Sequence, residues 1–173
     1  MTILETERLI LSELKESHLE QSIKLLGDPQ VMKYYPHPLN RKETMEWIQK
    51  NINRYKEHGF GIWGAFNKKN KKMLGHIGLV NLKIQNKDET ALAYLLMKEF
   101  QGRGLATEGA RACVEYAFTN LQRQQVVSAI RPENRPSAKV IEKLGFTPHG
   151  QCQLAGFNHV IYVINKTSWQ NLK

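Results

Sequence analysis

A short segment with two glycines, near the middle of the chain, joins a strand-like stretch to a helix-like stretch. Thr90 to Met97 is rich in β-branched, aromatic and aliphatic residues, which favours a strand. From about Gly104 to Leu121, apolar residues recur at helical spacing. The joining segment begins Gln101-Gly102-Arg103-Gly104. Because glycine permits a sharp turn and carries no side chain, the N–H groups of residues 102 to 106 can point at one anion.

The helix that follows this segment favours a phosphate group as that anion, because a helix N-terminus carries a partial positive charge. The sequence therefore predicts a pyrophosphate-binding loop from Gln101 to Thr107. A Walker loop ends in Gly-Lys-Ser/Thr, which is not found after Gly104. A dinucleotide-binding loop has a third glycine where Thr107 stands, and an acidic residue about 20 positions on, which is also missing here. A glycine-rich turn that binds nothing is the remaining alternative.

The rest of the chain alternates between strand-like and helix-like segments. Strands are predicted at Arg8 to Leu14, Phe60 to Phe66, Met73 to Leu82, Thr90 to Met97, Gln125 to Arg131 and Phe157 to Asn165. Helices are predicted after Ser17, after Asn40, from about Gly104 to Leu121 and from about Pro136. In the long helix, Glu108, Arg111 and Glu115 are expected to face solvent. This order predicts a single domain over residues 1–173, with a mixed sheet flanked by helices.

Composition and charge exclude some classes of protein. The net charge of +9 favours binding to anions but does not identify which anion is bound. The densest basic run, Lys68 to Lys72, contains no aromatic residue, which argues against binding to nucleic acid. No run approaches the about 18 apolar residues that cross a bilayer, and the N-terminus lacks the pattern of a signal peptide. We therefore expect a cytoplasmic protein with no membrane or nucleic-acid partner, whose Cys113 and Cys152 are reduced thiols.

Two motifs resemble those of a known family. Gln101-x-x-Gly104-x-Ala106, after an apolar strand, resembles the acetyl-CoA loop of the GNAT acetyltransferase superfamily, and residues 134–146 (NRPSAKVIEKLGF) resemble its second cofactor motif. The opening Glu5-Thr6-Glu7-Arg8-Leu9 and the closing strand before Trp169 resemble the branch that acetylates the N-termini of ribosomal proteins (RimJ/RimL-like). The fold implied is α/β (α+β): a mixed, mostly antiparallel twisted sheet of about six to seven strands, flanked by about four helices.

The resemblance also implies a binding site for acetyl-CoA as cosubstrate. In this family the strand before the loop splays from its neighbour, and the pantetheine arm pairs with the exposed backbone. That role corresponds here to the main chain of Leu96 and Met97, where an N–H group could also hold the thioester oxygen as it becomes an oxyanion. Asn134 would bond the pantetheine arm, although a helix cap explains it as well. The implied cofactor-binding residues are Leu96, Met97, Gln101, Gly102, Arg103, Gly104, Leu105, Ala106, Thr107, Asn134 and Ser137.

The sequence departs from the family at its catalytic positions. Many members carry a tyrosine as proton donor where this chain has Ile141, and a glutamate where it has Ala91. Ser137 is the nearest substitute donor, with a plain first-turn helix serine as the alternative. His76, between Gly75 and Gly78 in a predicted strand, is the candidate base, with a packed histidine as the alternative. Tyr94 is assigned to the core. The six histidines show no metal-binding spacing, so no metal is expected.

The reaction implied is direct attack of a neutral amine on the thioester. The acceptor is a primary amine, either the α-amine of a protein N-terminus, such as that of a ribosomal protein, or a small amine. A non-catalytic CoA-binding regulatory module remains the alternative, and a nucleic-acid-binding protein ranks below both. A homodimer is compatible with the branch.

Overall fold

The computed structural model describes residues 1–172, and its strands form one twisted sheet. The strands are β1 Thr2–Glu5, β2 Leu9–Ser12, β3 Ile62–Asn67, β4 Met73–Ile84, β5 Lys87–Leu96, β6 Gln125–Ile130, β7 Thr147–Leu154 and β8 Phe157–Asn165. Their order across the sheet is β1-β2-β3-β4-β5-β6-β8-β7. All neighbours run antiparallel except β5 and β6, which are parallel.

Helices cover both faces of this sheet. They are α1 Leu19–Leu26, α2 Arg41–His58, α3 Leu105–Thr119, α4 Arg135–Glu142 and α5 Lys166–Asn171, with 3₁₀ turns at Glu16–His18 and Lys98–Phe100. Because side chains alternate along a strand, neighbouring residues of β4 identify the two faces. His76 bonds to Ser22 of α1, whereas Ile77 belongs to the apolar cluster that packs against α3. Helix α4 packs beside α3 and against β6.

The main core lies between the sheet and α3. Its largest fully buried side chains include Trp63, Phe118, Ile77 and Leu79. Burying a side chain of this kind contributes about 1.5–3 kcal/mol, so this layer supplies much of the stability. It also fixes the start of α3, the end that follows the glycine loop, against the sheet.

The predicted fold class is confirmed, with more elements than expected. The sheet has eight strands, and five α-helices flank it within residues 1–172. The strand Phe157–Asn165 lies where the pattern places it, whereas β1 and β7 were not predicted. Helix α2 follows Asn40 as predicted. It begins with a capping box of Asn40 and Glu43, and Gly59 caps its C-terminal end with a φ of 78°.

One local prediction was wrong and a second was incomplete. Ser17 does not cap a helix, because it lies inside the 3₁₀ turn Glu16–His18, and α1 begins only at Leu19. Glu108 and Glu115 do not simply face solvent. Glu108 accepts hydrogen bonds from Arg8 and Thr6, and Glu115 accepts one from the indole of Trp169 at 2.7 Å.

No helix of residues 1–172 combines the length and apolarity needed to cross a bilayer. Over the same residues, no three His, Cys, Asp or Glu side chains form a group that could hold a metal ion. Cys113 is buried, Cys152 is partly exposed, and both are free thiols.

Candidate functional site

Strands β5 and β6 are paired at only one position. Ala91 of β5 pairs with Val127 of β6, and the two strands diverge beyond that point, while β5 runs on to Leu96. The Ser128 hydroxyl donates to the Leu92 carbonyl at 3.1 Å, next to the last paired position. The result is a V-shaped gap in the middle of the sheet, which we call the β5–β6 gap.

The backbone of β5 directs alternate residues into this gap. The Met97 N–H donates to the Leu74 carbonyl of β4 at 2.9 Å. Since N–H and C=O groups of an antiparallel pair alternate between the two sides of a strand, the N–H of Leu96 and the main-chain groups of Tyr94 face the gap. Of the two residues predicted to pair with pantetheine, Leu96 therefore has a free N–H group for this role. Met97 does not, because its N–H is bonded to β4 and its C=O accepts from Phe100.

The loop after β5 has the conformation that its glycines predict. Gly102 and Gly104 have φ angles of 73° and 77°, and α3 starts at Leu105. None of the backbone N–H groups from 102 to 107 donates a hydrogen bond to any group of residues 1–172. Consecutive free N–H groups at a helix N-terminus form a favourable site for an anion.

The side chains of the loop differ in their roles. Gln101 does not face the free N–H groups, because its amide donates to the Leu96 carbonyl at 2.8 Å and so ties the loop to the end of β5. Arg103 is exposed and able to move toward a phosphate, whereas the Leu105 side chain is buried in the core. Leu105 can therefore contribute only its backbone N–H.

A groove of about 780 Å³ runs along the outer face of α3 from this loop. It is lined by Thr6, Gly104, Thr107, Glu108, Arg111, Ala112, Glu115, Lys143 and Trp169. Because the groove begins at Gly104 and Thr107, a ligand whose phosphates lie on the loop has open space beside it for a further group.

On the other side of the gap, α4 brings Asn134 and Ser137 together. The Ser137 N–H donates to the Asn134 side chain at 3.2 Å, so Asn134 is the helix cap that the sequence offers as an alternative. Its carbonyl oxygen is thereby engaged, while its amide N–H groups make no hydrogen bond within residues 1–172. Asn134 can cap the helix and still donate to a ligand in the gap.

Tyr94 reaches across the gap and bonds to Ser137 twice. The Tyr94 hydroxyl donates to the Ser137 carbonyl at 2.7 Å, and the Ser137 hydroxyl donates to Tyr94 Oη at 3.0 Å. Burial raises the pKa of Tyr94, and the nearby phenols of Tyr35 and Tyr162 raise it further, against the opposing effect of the Ser137 hydrogen bond. Tyr94 therefore stays protonated at working pH. It is a polar group of the site and not only the core residue that the sequence predicted.

His76 lies apart from this pair of hydroxyls, on the opposite face of the sheet. The ring is 2% exposed and stacks on Trp47 at 4.8 Å between centroids, and its Nε2 lies 3.2 Å from the Ser22 hydroxyl. Burial lowers the pKa of His76 to about 3. The expectation that His76 acts as the base conflicts with this enclosure, because neither nitrogen can reach an acceptor in the gap without a rearrangement. The packed histidine is the interpretation that the structure favours.

Three aromatic residues, Tyr35, Trp47 and Trp63, do not form one cluster. Trp63 is fully buried, with its ring edge-on to Tyr116, and Trp47 is stacked on His76. Tyr35 is 44% exposed, and its phenol is close enough to affect the pKa of Tyr94. Of these three residues, Tyr35 is therefore the exposed one.

Comparisons with known proteins agree on one family. Residues 8–147 match the model of the acetyltransferase (GNAT) domain. An uncharacterised protein of Bacillus subtilis, YkkB, is 32% identical over 84% of this chain and 83% of its own length. YdaF of B. subtilis, named as a candidate ribosomal N-acetyltransferase, is 31% identical over 58% of each chain. An FsC-acetyl coenzyme A-N(2)-transacetylase of Aspergillus fumigatus is 31% identical over 83% of this chain and 64% of its own.

Solved structures have the same fold. A GNAT-family acetyltransferase from Bacillus anthracis superposes with a TM-score of 0.82 at 22% identity, covering 96% of this chain and 99% of that one. RimL, a ribosomal L7/L12 α-N-protein acetyltransferase in complex with coenzyme A, superposes with a TM-score of 0.79 at 21% identity, covering 95% and 98%.

Proposed function

The chain belongs to the GNAT acetyltransferase family, and from this premise we propose that it transfers the acetyl group of acetyl-CoA directly to a primary amine. Membership confirms the resemblance found in the two cofactor motifs and makes the protein an acyltransferase. The observation that carries the proposal is the position of the free N–H groups of residues 102–107, directly beside the β5–β6 gap. A phosphate group and a thioester arm then have adjacent places to bind.

In this proposal the loop and the gap bind different parts of the cofactor. The backbone of residues 102–107 binds the pyrophosphate, with Arg103 closing over it. The pantetheine arm lies in the gap, where the Leu96 and Tyr94 backbones and the Asn134 amide donate to it. Because Met97 uses its N–H for the sheet, the donor to the thioester oxygen is the Leu96 N–H. A preorganised donor of this kind stabilises the oxyanion as the amine attacks.

Ser137 is the proposed proton donor to the leaving group. The amine nitrogen forms a bond to the thioester carbon, the carbon–sulfur bond breaks, and the thiolate takes the Ser137 hydroxyl proton, which solvent replaces. In the free protein the Ser137 hydroxyl donates this proton to Tyr94 Oη at 3.0 Å, so in this proposal the hydroxyl turns from Tyr94 to the thiolate as the carbon–sulfur bond breaks. Ser137 lies one helical turn before Ile141, which replaces the family tyrosine and whose side chain is fully buried in the core.

The acceptor in this proposal is an amine of low pKa. Since His76 is enclosed and its pKa lies near 3, the amine gives its proton to water. An α-amine has a pKa of about 7.7–8.0 and is often neutral at working pH, whereas a lysine-type amine near 10.4 is mostly charged. We therefore favour the α-amine of a protein N-terminus, such as that of a ribosomal protein, or a small amine of similar pKa. The names of YdaF and RimL support the first choice.

The test compares two peptides of the same sequence by release of CoA thiol. One has a free N-terminus and no lysine, and the other has a blocked N-terminus and one lysine. We expect turnover with the first, rising with pH through the pKa of its α-amine, and at least tenfold slower turnover with the second. Faster reaction with the lysine peptide or with spermidine would refute the α-amine assignment.

A CoA-binding module without catalysis is the competing hypothesis, favoured by the absence of the family tyrosine and glutamate at Ile141 and Ala91. A thermal-shift series separates the two. Acetyl-CoA at about 100 times its dissociation constant should add about 2.7 kcal/mol to the stability of the folded state. Stabilisation by acetyl-CoA and CoA together with no thiol release from any amine would favour the regulatory module.

A further inference from the structure

The N-terminal turn of the chain is bonded to the start of α3. The Arg8 N–H and guanidinium Nε donate to the two carboxylate oxygens of Glu108 at 2.8 and 2.6 Å, and the Thr6 hydroxyl donates to the same carboxylate at 2.5 Å. A second guanidinium nitrogen, Nη1, donates to the Arg103 carbonyl at 3.0 Å. Arg8 thus bridges the first turn of α3 and the glycine loop.

The bond to Arg103 is exceptional for this loop. Within residues 1–172, no other side chain bonds to residues 102–104, and their remaining hydrogen bond runs from the Glu108 N–H to the Gly104 carbonyl at 3.0 Å. Both glycines have left-handed backbone angles, and glycine can adopt other backbone angles at a similar energy. Without an external contact, the loop has alternatives to the conformation described here.

Peptide geometry connects the Arg8 contact to the anion site. A trans peptide unit points its C=O and the following N–H in opposite directions. Because Arg8 holds the Arg103 carbonyl on one side of the loop, the Gly104 N–H must point to the other. A guanidinium nitrogen of Arg8 also lies beside Gly104, 3.5 Å from where a Cβ would be.

Arg8 also offsets the charge of Glu108 at the start of α3. A carboxylate close to a pyrophosphate site repels the ligand unless it is paired. Burial alone would raise the pKa of Glu108, but the hydrogen bonds from Thr6 and Arg8 outweigh this effect and lower it. The carboxylate therefore stays charged and accepts hydrogen bonds, which keeps Arg8 in place. An isolated surface ion pair contributes little, but several bonds in one network hold a defined geometry.

We propose that Arg8 is a positioning residue of the cofactor site, which holds the loop 102–107 ready for the pyrophosphate through its bonds to Arg103 and Glu108. This inference rests on the proposed function, because it takes the loop as the pyrophosphate site. Preorganisation of a loop raises affinity by removing the cost of ordering it at the moment of binding. Arg8 therefore acts on donors that carry a pyrophosphate and not on the transfer step itself.

The test replaces Arg8 and compares two acetyl donors. S-acetylpantetheine has the thioester arm but no pyrophosphate. For Arg8→Met we expect the KM for acetyl-CoA and the Kd for CoA, measured by calorimetry, to rise at least tenfold. The kcat with saturating acetyl-CoA and the kcat/KM for S-acetylpantetheine should stay within twofold to threefold of wild type. An equal loss with both donors would mean a general structural effect and would overturn the inference.

Two further variants sharpen this experiment. Lys68→Met is the matched control, because Lys68 bonds to the Thr6 carbonyl at 3.2 Å and to Glu5 at 3.1 Å without touching the loop. It should leave the KM for acetyl-CoA unchanged. Arg8→Lys keeps the charge but cannot span Glu108 and Arg103, so its KM should remain raised at least fivefold. Full recovery in Arg8→Lys would assign the effect to charge and refute positioning.

The outcome also separates this inference from the proposed function. If wild-type protein binds no CoA, the proposed function fails and the inference fails with it. If wild-type protein binds CoA and Arg8→Met binds it equally well, only the role of Arg8 is wrong.

Discussion

The two hydrogen bonds between Tyr94 and Ser137 can be removed from either side, and each removal has a calculable cost. Tyr94→Phe deletes the oxygen that donates to the Ser137 carbonyl and accepts from its hydroxyl, whereas Ser137→Ala deletes only the second bond. A protein hydrogen bond contributes about 0.5–1.5 kcal/mol net. Tyr94→Phe should therefore lower the free energy of unfolding by about 1–3 kcal/mol, and Ser137→Ala by about half as much. In a chain of this size, each kcal/mol lowers Tm by about 2–4 °C.

The double variant isolates the bond that the two hydroxyls share. Because both single variants remove it, the summed losses should exceed the loss in the double variant by about 0.5–1.5 kcal/mol. Urea unfolding of the four proteins, followed by tryptophan fluorescence, measures this difference. Strict additivity would mean that the two hydroxyls do not bond in solution.

Kinetics of the same variants test the role of Ser137 as proton donor. Removal of a general acid lowers the rate by about 10²–10⁴, so we expect a loss of kcat in that range for Ser137→Ala, with thiol release as the assay. Ser168→Ala is the control, because the Ser168 N–H donates to Asn165 at 2.8 Å in the capping arrangement that Ser137 has with Asn134. A kcat within threefold of wild type in Ser137→Ala would refute its role.

Three further predictions use other parts of the chain. His76→Phe keeps a ring against Trp47, so kcat should stay within threefold. Because burial lowers the pKa of His76 to about 3 from 6.5, the unfolded state binds more protons below pH 6.5. Wild-type stability should therefore fall as pH drops from 6.5, and the variant should lose less. A hundredfold loss of kcat would restore His76 as the base. The pKa of Glu108 in the folded protein lies below its ordinary value of 4.5. The charged carboxylate therefore stabilises the wild type above pH 4.5, and this stabilisation is lost as the pH falls below that value. Glu108→Gln should lack this pH dependence in urea unfolding. An equal loss of unfolding free energy below pH 4.5 in Glu108→Gln and in wild type would contradict this. Gly104→Ala and Gly156→Ala put the same strain at φ angles of 77° and 80°, and each should cost about 1–2 kcal/mol. Gly104→Ala should also weaken the affinity for CoA, measured by calorimetry, whereas Gly156→Ala should affect stability alone. A comparable loss of affinity in Gly156→Ala would refute the loop assignment.

Features that depend on residues close in sequence could be predicted from the sequence. The capping box of Asn40 and Glu43 spans three residues, and Gly59 ends the same helix through its own backbone. The glycine loop belongs to this group, because a strand, two glycines and a helix create the free N–H groups wherever the segment is placed. The cofactor class follows from this local pattern together with the resemblance of the second motif.

Strands β1 and β7 were missed because their sequences carry a weak pattern. Residues 147–154 (TPHGQCQL) are mostly polar and exposed, and they form a strand because they pair with β8 at the edge of the sheet. Such a strand is stabilised by its partner more than by its own composition.

The arrangement of the candidate site depends on contacts between distant residues, which only the tertiary structure decides. Tyr94 and Ser137 are 43 positions apart, and Arg8 and Glu108 are 100 apart. His76 stands in a strand whose pattern does not reveal that Trp47 and Ser22 enclose its ring. Local sequence determined the conformation of the glycine loop because backbone geometry there depends on adjacent residues. The folded chain alone decided which side chains meet at the gap, since burial and hydrogen-bond partners arise from packing across the whole sheet.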